Sequence, residues 1–131
     1  MNSLEQRNAK AINDAAPLYE RINNAWAKAE EYIRDIGVLA PVEFCYDEDE
    51  VQAFGVQKRK GKWRICVGEY DNNDNVEWTP ISDCSLDLRV TMMAHVPSLI
   101  EKVVEENELA VPSLQKVAEH LEASLKRFNI P

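Results

Sequence analysis

Soft metal ligands and candidate nucleophiles are few in this sequence of 131 residues, and they are scattered. The three cysteines, Cys45, Cys66 and Cys84, and the two histidines, His95 and His120, form no C-x-x-C, H-x-x-x-H or E-x-x-H pattern. Zinc and di-iron sites need such spacing because several ligands must converge on one ion. On one continuous helix Cys84 and His95 would share a side yet lie about 16 Å apart. The spacing in DNNDN puts Asp71, Asn73 and Asn75 at the first three ligand positions of a calcium loop, but Val76 replaces the required glycine and Ser82 the closing glutamate. The run therefore reads as an Asn/Asp-rich turn. The acidic stretch from Tyr46 to Glu50 reads as a solvated loop.

Covalent catalysis asks for a nucleophile, a base and an oxyanion site meeting in space. His95 and Ser98 are the nearest candidate pair, separated by Pro97 and lacking a G-x-S-x-G elbow, while His120 falls at the edge of an amphipathic helix. Four glycines leave no P-loop and no G-x-G-x-x-G. The sequence thus predicts no catalytic residues, no metal and no cofactor, and hence a protein that is not an enzyme.

One concentrated polar signal remains. Lys58, Arg59, Lys60, Lys62 and Arg64 surround Gly61 in a chain of net charge -8; residues 37 to 80 hold nine acidic residues and no other basic ones. The cluster reads as a solvated turn at the tip of a hairpin or as a possible partner contact for an acidic protein surface. Nucleic acid is disfavoured, because Trp63 is expected on the apolar side of its strand and no reading element accompanies the charges.

These residues must be held by elements that the periodicity outlines. Tyr19, Ile22, Trp26, Ala29, Ile33 and Ile36 recur at steps of three and four, with Gly37 as a stop, so residues 1 to 36 read as helix. Ser3 and Gln6 have capping-box spacing, Pro17 is expected to divide off a weaker lead-in, and Leu18, Ala25 and Tyr32 widen the apolar stripe. From Val42 the period becomes two: Val42, Phe44, Phe54, Val56, Trp63, Ile65 and Val67 alternate with polar or small residues. A two-residue turn at Lys60 and Gly61 sets Val56 opposite Ile65, and a three-residue loop from Glu48 to Glu50 sets Phe44 opposite Phe54. Val76 to Thr79 offers a fourth strand carrying Trp78. The opposite face of this sheet collects Cys45, Ala53, Gly55, Cys66 and Gly68, a trough of small residues and a possible docking site for a helix, a partner chain or a flat ligand. Cys45 and Cys66, about 10 Å apart across the intervening strand, cannot form a disulfide.

Beyond residue 85 the pattern is helical again. Leu86, Val90, Met93, Ile100 and Val104 make one row and Met92, Val96, Leu99 and Val103 another, with a kink or split expected at Pro97. Pro112 is expected to open a final helix with the stripe Leu114, Val117, Leu121, Leu125 and Phe128. The predicted class is α+β in one domain over 1–131: helical to 36, an antiparallel meander of three or four strands over 42–79, and two or three helices over 85–129 packed on the sheet.

At 15.0 kDa, with 45% hydrophobic and 29% charged residues, the chain can bury a core without a staple. No apolar run reaches membrane-spanning length and the N-terminus lacks a signal-peptide core, so no membrane association is expected. An odd number of unpatterned cysteines points to the reducing cytoplasm. The resulting expectation is a cytoplasmic, non-catalytic protein-protein interaction module that self-associates, most simply as a homodimer. The alternatives are a small-ligand-binding domain with a pocket by Trp63, Met92 and Met93, and weak nucleic-acid binding through the basic hairpin.

Overall fold

The computed structural model describes residues 3–46 and 52–131. Its order is α1 (Ser3–Ile36), β1 (Val42–Cys45), β2 (Gln52–Arg59), β3 (Lys62–Tyr70), β4 (Val76–Pro80), a 3-10 turn (Ile81–Asp83), α2 (Leu86–Met92), a second 3-10 turn (Met93–His95) and α3 (Val96–Arg127). The class is α+β. The strands form one antiparallel sheet in sequential order, β1-β2-β3-β4.

The register follows from the two-residue period. Val42 lies opposite Val56 and Phe44 opposite Phe54; Val56 lies opposite Ile65 and Phe54 opposite Val67. The apolar residues thus share one face, as expected. Lys60 (φ 51°) and Gly61 (φ 81°) both take the left-handed region that a tight hairpin turn demands. The expected loop at Glu48–Glu50, and the acidic residues 47–50, lie outside the described residues. The β3–β4 turn is built by Asp71, whose Oδ1 accepts from the backbone N–H of Asn73 (2.8 Å) and of Asn75 (3.0 Å).

The core lies between the apolar face of the sheet and the inner halves of α1 and α3. Trp26 and Ile33 from α1, Phe54, Val56, Ile65 and Val67 from the sheet, and Met92, Leu99 and Val103 from the helical end are all buried there. Trp26 meets Phe54 edge to face, with centroids 6.1 Å apart. α1 starts along this core where Trp26 Nε1 donates to the Arg89 carbonyl (3.2 Å) and ends at Gly37, whose carbonyl accepts from Asn107 Nδ2 (3.0 Å). α1 and α3 therefore advance in the same sense, and their outer halves overhang opposite ends of the core.

Two helical expectations need correction. Pro17 does not divide α1, and Pro112 does not open a separate helix; both sit inside continuous helices. The reason is visible in the phase. Val103 and Leu121 are eighteen residues apart, five turns at 3.6 residues per turn, so the stripe crosses Pro112 without a register break. Pro97, by contrast, falls at the start of α3, behind the 3-10 turn that ends α2. Met92, Leu99 and Val103 are buried while Val90, Met93 and Val104 of the other expected row are exposed. Among the described residues no helix is long and apolar enough to cross a membrane.

Candidate functional site

The basic hairpin is less available than its sequence suggests. Arg64 turns back onto α1, where its Nε donates to both carboxylate oxygens of Glu30 at 3.1 Å, and its NH2 donates to Ser82 Oγ at 2.9 Å. Arg59 NH2 donates to the Trp78 carbonyl (3.1 Å), and Lys58 Nζ stands 5.7 Å over the Trp63 ring. Lys60 and Lys62 are exposed at the tip. All five line one open cleft of about 630 Å³ with Pro80 and Asp83.

On the sheet face opposite the core, side-chain atoms of Trp78 and Val76 stand close over Gly68. Ala53, Gly55, Cys66 and Gly68 are buried, and Cys45 is exposed. A Cβ at Gly68 would stand 2.8 Å from the Trp78 ring, and one at Gly55 would stand 2.3 Å from the Val42 carbonyl oxygen. From β3 the Tyr70 hydroxyl reaches across β2 and donates to Glu43 Oε2 on β1 at 2.6 Å. That bond holds the Tyr70 proton, pushing its pKa up to about 12. Burial pushes the Cys66 thiol up to about 11, the nearby Arg59 charge opposing it.

The histidine and methionine positions are spread out. His95 packs among aromatic rings, 5.5 Å from Tyr46 and 6.2 Å from Phe44, and Ser98 is exposed on the next helix. Met92 is in the core, Met93 lines an apolar groove with Leu18 and Ile22, and Trp63 rests at the core's edge. Among the described residues no three His, Cys, Asp or Glu side chains gather as metal ligands.

Sequence reading missed Glu30. It lies on the buried side of α1, 7% exposed, and its Oε1 accepts from the Ile65 N–H at 3.1 Å besides holding Arg64. β4 pairs with β3 only as far as Cys66 opposite Pro80. One residue further the Glu30 carboxylate takes the place of the missing strand. A hint was present, since Glu30 falls between Trp26 and Ile33 in the apolar stripe.

A long row of exposed apolar residues runs along the outer half of α3. Leu114, Val117, Leu121, Leu125 and Phe128 are 56, 56, 57, 43 and 70% exposed. Each sits eighteen residues, five turns, beyond a residue of the inner half: Val96, Leu99, Val103, Asn107 and Ala110 in order. The face that inside the fold buries Leu99 and Val103 thus continues outward for about 27 Å with nothing covering it among the described residues. The tail is also well terminated. Ile130 N–H donates to the Leu125 carbonyl (2.9 Å) and Asn129, at φ 55°, donates to Lys126 (3.1 Å). This is the double bond pattern of a Schellman end. The outer half of α1 repeats the theme with smaller residues: Leu4, Ala11, Ile12 and Ala15 lie eighteen before Ile22, Ala29, Glu30 and Ile33.

The total surface reflects these overhangs. A compact monomer of 15.0 kDa exposes about 7,000 Å², whereas this chain exposes 9710 Å². No protein-family model, no curated protein and no solved structure matches the chain.

Proposed function

We propose that this protein is a non-catalytic interaction module that self-associates, two copies docking through the outer halves of α3. The observation that carries the reading is the five-turn repetition of the core-facing stripe along an uncovered helix. Most helical stability in proteins comes from packing an amphipathic face, and an apolar stripe on an overhanging helix needs a partner surface.

A second copy suits this surface for two reasons. The first is charge. The chain carries -8, but residues 108–127 hold three basic residues (Lys116, Lys126, Arg127) against three acidic ones (Glu108, Glu119, Glu122), so the tail is neutral and like copies can meet there without net repulsion. The second is area. Subtracting the compact-monomer value from 9710 Å² leaves an excess of about 2,700 Å² spread over the whole chain, the α1 and α3 overhangs included, against roughly 800 Å² per partner that a standard interface buries. A two-fold contact using the same stripe twice closes on itself as a dimer, whereas pairing the α3 tail with the α1 overhang of the next copy would give a ring or an open filament.

The five stripe residues retain about 1 kcal/mol each of unburied apolar surface, or ~10 kcal/mol over two copies. That only matches the 4–15 kcal/mol cost of association, so the contact is expected to recruit neighbouring Leu109, Val111 and Ile130. Light scattering at tens of micromolar should give a mass of 30.0 kDa, twice 15.0 kDa. Leu121→Asp, at an exposed site, should return the mass to that of one chain while leaving the helical spectrum unchanged. A wild-type protein that stays monomeric at that concentration removes the proposal.

A further inference from the structure

A second site stands on different residues and does not depend on association. Between α1, the Ile81–Asp83 turn and α2 lies a cavity of about 300 Å³, the lower end of ligand-pocket volumes. Asn23, Trp26, Glu30, Arg64, Ser82 and Arg89 line it. Two guanidinium groups face one carboxylate there, and that carboxylate is already engaged by Arg64 and the Ile65 N–H.

Among the described residues Arg89 has no ion-pair partner. NH1 donates to Asn23 Oδ1, and among the described residues Nε is buried with no acceptor. Buried donors in folded proteins are almost always paired, and a guanidinium cannot relieve the deficit by losing its proton. Its fork geometry matches a planar carboxylate. Glu30 is already paired with Arg64 at 3.1 Å and with Arg34 at 3.7 Å, so Arg89 is the lining cation that Glu30 does not neutralise. Trp26, Ala27 and Ile81 supply apolar wall for a short carbon chain.

We propose that this cleft binds a small free monocarboxylate of a few carbons, its carboxylate held by Arg89 and its tail against Trp26 and Ile81. The probe is sodium butyrate added to the full-length, isotopically labelled protein, followed through the Arg89 Nε–H and Trp26 indole N–H resonances. The indole is a fitting reporter because it donates to the Arg89 carbonyl. Saturable shifts are expected, with a dissociation constant near 1 mM, and sodium chloride at equal ionic strength should not reproduce them. Arg89→Gln should weaken binding at least tenfold. Should that variant fail to fold, Ala27→Glu decides, because residue 27 is exposed and lines the cavity, so a built-in carboxylate there should compete and weaken butyrate at least tenfold. The proposal is overturned by shifts that chloride matches, by phosphate or an acidic peptide binding more tightly than butyrate, or by butyrate binding that Ala27→Glu leaves intact.

Discussion

Replacing Glu30 should show how α1 is fastened to the sheet. In Glu30→Ala the Ile65 N–H loses its acceptor in a place where Ile65 is 1% exposed, and Arg64 loses both of its carboxylate contacts. An orphaned buried donor costs about 1–3 kcal/mol, and breaking a fully buried ion pair about 3–5 kcal/mol. Arg64 keeps 29% of its side chain exposed and still has Ser82, so water recovers part of the second cost. A total of about 2–4 kcal/mol results, a large part of the 5–15 kcal/mol that holds an ordinary domain. Glu30→Gln keeps an amide oxygen for Ile65 and loses only the charge, so it should cost about half as much. Urea unfolding at pH 7, followed by far-ultraviolet circular dichroism, should show the Ala midpoint lowered by about 1–2 M at an unchanged slope. A second cycle with Arg64→Ala should give a coupling above about 1 kcal/mol. An Ala midpoint within about 0.3 M of wild type would refute the strand-replacing role of this carboxylate.

Three further outcomes follow from the sheet. Gly55→Ala puts a methyl group 2.3 Å from the Val42 carbonyl oxygen, a backbone atom that cannot swing away, and should destabilise more than Gly68→Ala, whose methyl meets side-chain atoms of Trp78 and Val76; the two urea midpoints compare them directly. The Tyr70 phenol, with its folded pKa raised to about 12 from an unfolded value near 10, contributes stability that is fully present below pH 10 and is lost as pH rises toward 12. Wild type should therefore lose more stability than Tyr70→Phe between pH 9 and 12, and parallel curves would exclude the bond to Glu43. A thiol reagent at pH 8 should modify exposed Cys45 quickly and leave Cys66, buried and raised to about 11, unreacted until the protein unfolds, which mass analysis of the labelled peptides reads out.

The sheet was legible because its signal is local. Alternation from Val42 to Val67, together with the two-residue turn at Lys60 and Gly61, leaves a single register that keeps Phe44, Phe54 and Val67 on one side. The helix boundaries were less legible. Pro112 carries the same chemistry whether it opens a helix or sits within one, and only the unbroken phase from Val103 to Leu121 distinguishes the two. Glu30 and Arg89 were hidden for another reason. Their meaning depends on partners 35 and 59 positions away, Ile65 and Arg89's cavity neighbour Glu30, and no periodicity reports such pairs. The basic hairpin was visible as composition, yet the inward use of Arg59 and Arg64 depends on where β4 brings the Trp78 carbonyl and α1 brings Glu30.

Helix length relative to the sheet ties these features together. The longest strand, β3, has nine residues and spans roughly 30 Å, while α1 with 34 residues and α3 with 32 span roughly 51 and 48 Å. A helix that served only to cover this sheet would end near its edge, at about half these lengths. Where α1 and α3 touch the sheet, their buried positions suffice for a core: Trp26 and Ile33 on one, Leu99 and Val103 on the other. The remaining turns add conformational entropy cost and exposed apolar surface without adding to that core. An extension of this kind without a partner would tend to drift in phase. In α3 the phase is kept for five turns, and Asn129 stops the helix with a full set of terminal bonds. A conserved phase is what a packed interface needs and what a solvent-facing spacer does not, so the length of α3 argues for docking independently of its hydrophobicity. If that reasoning holds, Leu121→Gln should abolish association without unfolding the monomer, and cutting the chain after residue 110 should leave a folded, monomeric core; a truncated protein that still dimerises would place the contact elsewhere.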